Sequence, residues 1–64
     1  MQSLTEKEIQ IARFAAEGMT AQETADTMCL SIETIRWYRK RMLRKVDAKN
    51  FSELIASLKD GGII

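Results

Sequence analysis

Residues 31–45, SIETIRWYRKRMLRK, decide the fold of this 64-residue chain. At about 100° per residue, Ile35, Met42 and Val46 fall within one narrow sector of a helix, which predicts a buried side. The expected core-facing residues are Ile35, Tyr38, Met42, Leu43 and Val46. The opposite side holds Arg36, Trp37, Lys40, Arg41 and Arg44. Because Ser31 is a good N-cap, the stretch predicts a helix over 32–46 that exposes cations and one aromatic ring.

Capping signals place three further helices around that one. Thr5 with Glu8, and Thr20 with Glu23, have the spacing of a capping box. Asn50 can cap the last helix, and glycines lie where helices could end. The predicted helices cover 6–17, 21–28, 32–46 and 51–60. We therefore predict an all-α, compact four-helix domain over 1–64 that contains a helix-turn-helix.

The net charge conceals a strong polarity along the chain. Ten Lys and Arg against nine Asp and Glu give only +1, but residues 36–49 carry seven basic residues against Asp47 alone, a net +6. The remaining residues carry a net −5. A chain with this distribution offers one attractive face to a polyanion.

The composition argues against several classes of function. With no histidine and one cysteine, neither a zinc site nor an internal disulfide is expected, and Cys29 is interpreted as filling a small core or turn position. We expect no enzyme and no cofactor, since a phosphate loop and a Cys-based constellation are both missing. The acids Glu6, Glu8, Glu23 and Asp26 are interpreted as helix-start and solvent-face residues. No apolar run approaches the ~18 residues of a membrane span, so we predict a cytoplasmic protein.

A short helix, a three-residue turn and a longer basic helix form the helix-turn-helix arrangement. Since the major groove of DNA takes one helix, we predict sequence-specific binding of double-stranded DNA for transcription regulation, with helix 32–46 in the groove. An ordinary solvated face and sequence-independent binding are alternatives. Another is a basic amphipathic module for a protein partner or an anionic membrane surface. That last alternative would expose Met42 and Leu43, at a cost of several kcal/mol of burial.

Short motifs along the chain resemble one family. They are LT-x-x-E at 4–8, AEG at 16–18, E-x-A at 23–25, LS-x-x-TI at 30–35, and Arg36 followed by ML-x-K at 42–45. Their order and spacing are similar to those of the LuxR-type (LuxR/FixJ/NarL) DNA-binding domain of bacterial transcription factors, over about residues 4–60. The resemblance implies a four-helix domain in which helix 32–46 reads the major groove and helix 51–60 pairs with a second copy.

The resemblance also implies roles for individual residues. The positions at base edges are Arg36, Trp37 and Lys40. The positions near phosphates are Thr34, Tyr38, Arg41, Arg44 and Lys45. The positions for a weak homodimer are Leu54, Ile55 and Leu58, which could equally complete the chain's own core. RNA polymerase is a further implied partner. Family members usually carry a sensory domain upstream, so the chain is either the effector domain of a response regulator or a complete small regulator.

Among the residues that depart from the family pattern or fit it poorly, three carry a structural prediction. Trp37 stands where the family usually has a smaller residue, and could contact a thymine methyl, narrow the accepted sequences or partly pack. Thr24 replaces a typical isoleucine, which predicts weaker packing of the second helix. Arg39 leans toward the core, and we predict a structural salt bridge to Glu8 or Glu23 in preference to a DNA contact.

Overall fold

The structure is a computed structural model that describes residues 3–64. It contains four α-helices: α1 Glu6–Ala16, α2 Ala21–Met28, α3 Ile32–Val46 and α4 Phe51–Asp60. The predicted all-α, four-helix fold is confirmed, and the predicted boundaries differ from these only at the end of α1, by one residue. The domain measures 28 × 20 × 20 Å.

All four helices begin at the predicted caps. The Thr5 hydroxyl accepts from the Glu8 amide, and the Glu8 carboxylate accepts from the Thr5 amide, so the capping box is complete. Thr20 and Glu23 repeat this arrangement at α2. The side chains of Ser31 and Asn50 accept from the backbone amide three residues later. These local bonds fix where each helix starts before any tertiary packing is considered.

Two helices end at left-handed residues that are not glycine. Cys29 closes α2 with φ 57° and Asp47 closes α3 with φ 58°. Asp tolerates this conformation better than most residues, so α3 can end here without a glycine. Cys29 is exposed, which places it at a turn position and excludes it from the core.

The core takes apolar side chains from every helix. Its buried members are Ile11, Ala12, Ala25, Ile35, Met42, Leu54 and Leu58. Helix α3 contacts α1, α2 and α4. Thr24 is buried as well, and its hydroxyl donates to the Thr20 carbonyl oxygen over 2.9 Å. The hydroxyl therefore needs no hydrogen-bond partner on a neighbouring helix. Because all partners of α3 lie on its apolar side, the other side remains open to solvent.

The burial of α4 bears on the predicted dimer surface. Leu54 and Leu58 lie inside the chain's own core, where a second subunit cannot reach them. Ile55 is half-buried. Any pairing of two copies through α4 must therefore use Ile55 and the exposed residues beside it, which leaves dimerisation a prediction with a smaller set of candidate residues.

Candidate nucleic-acid interface

The open side of α3 forms a cationic ridge, defined as Arg36, Trp37, Lys40, Arg41 and Arg44. All five residues are exposed, whereas Ile35 and Met42 on the opposite side of the same helix are fully buried. No acidic residue lies between Glu33 and Asp47. Like charges four residues apart repel each other along the ridge, at a cost of a few tenths of a kcal/mol per pair. An external anion would relieve that repulsion.

Trp37 is the only large apolar residue on the ridge. The residue is 54% exposed, as predicted for the outer side of α3. The ring of Tyr38 meets it edge-on, with centroids 5.0 Å apart and an interplanar angle of 74°. The Arg41 guanidinium carbon lies 5.3 Å from the indole centroid. The indole therefore has two neighbours that restrain it, while the residue as a whole remains exposed.

Two predicted phosphate positions flank the ridge. Thr34 and Tyr38 are both half-buried. The Thr34 hydroxyl lies 2.8 Å from the Ser31 hydroxyl, and its amide donates to the same oxygen, so the first turn of α3 has a fixed geometry. Hydroxyls beside the unpaired amides of a helix N-terminus are suited to an anion such as phosphate.

Lys45 points away from the ridge and forms an internal ion pair with Glu8. Its ammonium donates to the Glu8 carboxylate oxygen Oε1 over 2.8 Å and to the Ser3 carbonyl oxygen over 3.3 Å. The Lys45 side chain is only 7% exposed and that of Glu8 is fully buried. The interpretation of Glu8 as a solvent-face acid is therefore wrong. The structure leaves the Lys45 ammonium little freedom to reach a phosphate.

The carboxylate of Glu8 stays charged in the interior because donors surround it. Burial alone would raise the pKa of Glu8, but the hydrogen bond from Lys45, the Thr5 amide and the positive charge of Lys45 together lower the pKa below its ordinary 4.5. These hydrogen bonds reach only Oε1. The other carboxylate oxygen, Oε2, is buried and has no hydrogen-bond partner within residues 3–64. The Arg41 Nε atom lies 3.6 Å from it.

The predicted salt bridge of Arg39 is wrong. Its guanidinium carbon stacks 4.1 Å from the ring centroid of Phe51, the first residue of α4. The two carboxylates that were candidates have other partners: Glu8 binds Lys45, and Glu23 accepts from the Thr20 amide. An aromatic face can receive a half-buried guanidinium without a carboxylate. Arg39 therefore connects α3 to α4 and does not belong to the ridge.

The structure brings most of the predicted contact residues to one side of the domain. Five of the eight predicted base and phosphate residues form the ridge, two flank it, and Lys45 is turned inward. Sequence reasoning missed the interior role of Glu8. The sequence did contain a signal for an interior partner of Lys45. Lys45 comes last in the run of basic residues, and the helix projection places it beside the apolar sector that contains Val46.

Residues 3–64 contain no group of three or more potential metal-binding side chains. Among those same residues, no helix has both the length and the apolar character that crossing a lipid bilayer requires.

Comparison with known proteins gives a consistent result. The profile of the family described as "Bacterial regulatory proteins, luxR family" matches residues 2–58. The virulence-factor transcription regulator BvgA of Bordetella pertussis is 36% identical over 52 residues, which cover 81% of this chain and 25% of BvgA. The tetrathionate response regulatory protein TtrR of Salmonella typhimurium is 35% identical over 54 residues, covering 84% of the chain and 26% of TtrR.

A third relative is the response regulator GacA of Pseudomonas aeruginosa. It is 40% identical over 52 residues, which cover 81% of this chain and 24% of GacA. The chain thus spans about a quarter of the length of the relatives it matches.

Proposed function

Because this chain belongs to the luxR family of bacterial regulatory proteins, we propose that it binds double-stranded DNA sequence-specifically, with α3 in the major groove, and thereby regulates transcription. The observation that carries the proposal is the separation of the two sides of α3. Ile35 and Met42 are fully buried, while the cationic ridge is exposed along its whole length. A groove about 12 Å wide accepts a helix presented in this way.

The proposal assigns the ridge residues different tasks. Arg36 and Lys40 lie one turn apart near the middle of α3 and can donate to guanine O6 and N7. Trp37 follows Arg36 in sequence and offers an apolar surface to base edges. Arg44, with the hydroxyls of Thr34 and Tyr38, is placed for phosphates on either side. Lys45 is reassigned from phosphate contact to a structural role, since Glu8 holds its ammonium.

The membrane or partner-helix alternative is disfavoured by burial. A basic amphipathic helix binds such targets through its apolar side. In this domain that side contains Ile35 and Met42, which are fully buried, and Leu43, which is half-buried. Presenting those residues outward would require the domain to open, at a cost of several kcal/mol.

The proposal is tested by selection from a random duplex library with the 64-residue chain. We expect a defined sequence to be enriched, and we expect its affinity to fall steeply with salt because phosphate contacts release counterions. Enrichment of no sequence, with equal binding to all duplexes, would favour sequence-independent attraction. Binding to anionic vesicles but not to duplex would support the membrane alternative.

The same selection addresses pairing of two copies through α4. Two half-sites in an inverted arrangement at constant spacing would support a homodimer on DNA. Sedimentation of the chain with that duplex should then give two protomers per site, and replacing Ile55 with Ser should reduce the second binding event. A single half-site occupied by one protomer would refute the dimer without affecting the proposed DNA binding.

A further inference from the structure

Three side chains form a continuous path from the interior of the domain to the ridge. Glu8 on α1 is fully buried, Arg41 on α3 is 48% exposed, and Trp37, one turn earlier on α3, is 54% exposed. The Arg41 Nε atom lies 3.6 Å from Glu8 Oε2, and the Arg41 guanidinium carbon lies 5.3 Å from the indole centroid. Arg41 therefore contacts an interior carboxylate and an exposed aromatic ring at the same time.

The unsatisfied oxygen of the Glu8 carboxylate explains the position of Arg41. Its Oε1 atom is satisfied by Lys45 and the Thr5 amide, whereas Oε2 is buried and without a hydrogen bond inside residues 3–64. A buried carboxylate oxygen that lacks a donor is costly, so it attracts a nearby positive charge. The Arg41 guanidinium approaches this oxygen with its inner nitrogen, Nε, which leaves the rest of the group to lie against the indole.

The indole is consequently restrained on two sides. Tyr38 meets its edge, and Arg41 lies against its face at a distance typical of cation–π contacts. A side chain that is already ordered loses less conformational entropy when it meets a ligand. Arg44, by contrast, makes no ion pair and no aromatic contact within residues 3–64 and remains available for phosphate.

We infer that Arg41 is a positioning residue, which fixes the indole of Trp37 for base contact, and that it is not itself a phosphate contact. This inference depends on the proposed function, in which Trp37 meets base edges. It differs from the role that the family resemblance implies for Arg41.

The Arg41→Lys variant separates the two roles because it keeps the positive charge. A lysine has one compact ammonium and cannot approach Glu8 and cover the indole together, whereas Arg can do both with its inner nitrogen and its planar end. If Arg41 positions Trp37, the ratio of affinities for the selected duplex and a scrambled duplex should fall about two- to fivefold in R41K. Affinity for the scrambled duplex should stay unchanged. If Arg41 binds phosphate, R41K should keep that ratio, which would overturn the inference.

A second measurement uses the protein without DNA. The chain has a single tryptophan, so time-resolved fluorescence anisotropy reports on Trp37 alone. We expect a larger amplitude of fast local motion in Arg41→Met and Arg41→Lys than in the wild type. Arg13→Lys, an exposed arginine on α1, is the matched control and should leave the motion unchanged. Equal indole motion in R41M and the wild type would refute the positioning role.

The two measurements distinguish the possible failures. If the wild type selects no duplex, the proposed function fails, and the anisotropy still decides whether Arg41 orders the indole. If a duplex is selected but either the affinity ratio in R41K or the indole motion in R41M equals that of the wild type, the positioning role alone is refuted.

Discussion

Arg44 and Lys45 are adjacent cations in the last turn of α3, but their side chains lie in opposite environments. Arg44 stands in solvent on the cationic ridge, whereas the Lys45 side chain is 7% exposed and bound to Glu8. The pair Glu8 and Lys45, which we name the anchor, ties α1 to α3 across 37 positions of sequence. The basic residues of α3 are thus divided between the exposed ridge, which we propose binds DNA, and the anchor, which stabilises the fold. A count of cations along the sequence cannot reveal this division.

The largest expected effect comes from removing the charge of the anchor. Glu8→Gln keeps the size of the side chain and the capping bond at the start of α1, but leaves the Lys45 ammonium nearly buried without its counterion. Breaking a buried ion pair by removing one partner costs about 3–5 kcal/mol. We therefore expect the free energy of unfolding, measured by urea denaturation, to fall by about that amount.

Glu6→Gln is the matched control for this variant. Glu6 is also an acid in the first turn of α1, but it is exposed. Its substitution should change the free energy of unfolding by no more than about 0.5 kcal/mol. Equal losses in the two variants would mean that the anchor contributes no more to stability than a surface charge.

The anchor also makes stability depend on acid. The pKa of Glu8 is lowered in the folded state relative to its ordinary 4.5, so the folded protein resists protonation of this carboxyl. The resulting stabilisation is fully present above the unfolded pKa and is lost as the pH falls through the lower folded value. We expect wild type and E8Q to differ most near neutral pH and to converge in acid. Urea titrations between about pH 7 and pH 3 measure this, and a constant difference would contradict it.

Local signals explain how much of the fold could be predicted. Capping chemistry operates over three residues, so the starts of all four helices followed from pairs such as Thr5 with Glu8 and single caps such as Asn50. The apolar period of α3 likewise identified Ile35 and Met42 as core residues. Both signals lie within a single helix, and both were confirmed.

Partner choices between helices could not be predicted in the same way. Glu8 was recognised as a capping residue, but its ion pair lies on a helix 37 positions away. Arg39 was correctly expected near the core, yet its partner is the ring of Phe51 and not a carboxylate. A projection of one helix gives the direction of a side chain. It does not give what the neighbouring helices place in that direction.

The second largest effect concerns base recognition by the ridge. Lys40→Ala should weaken binding to the selected duplex by about 1–3 kcal/mol and leave binding to scrambled duplex less affected, because a base contact carries sequence information. Arg44→Ala should weaken both duplexes alike and reduce the salt slope by about one. Fluorescence polarisation at several salt concentrations measures both effects.

Lys59→Ala is the matched control for Lys40→Ala. Lys59 is an exposed cation in the last turn of α4, on a different helix from the ridge. It removes the same net charge, so any general electrostatic loss appears in both variants. If K59A and K40A lose affinity equally on the selected duplex, Lys40 does not read bases.

The smallest expected effect sharpens the role of Trp37, the apolar member of the ridge. If the indole covers the methyl group of a thymine in the selected duplex, replacing that thymine with uracil should lower affinity by about 0.8 kcal/mol, or roughly fourfold. The loss should occur at one or two positions and vanish in Trp37→Ala, which no longer contacts the methyl group. Because the double-mutant cycle isolates this pair, a uracil effect that persists in W37A would assign the methyl contact to another residue. Scanning each thymine of the selected duplex against both proteins gives the answer, and it tests the ridge without disturbing the anchor.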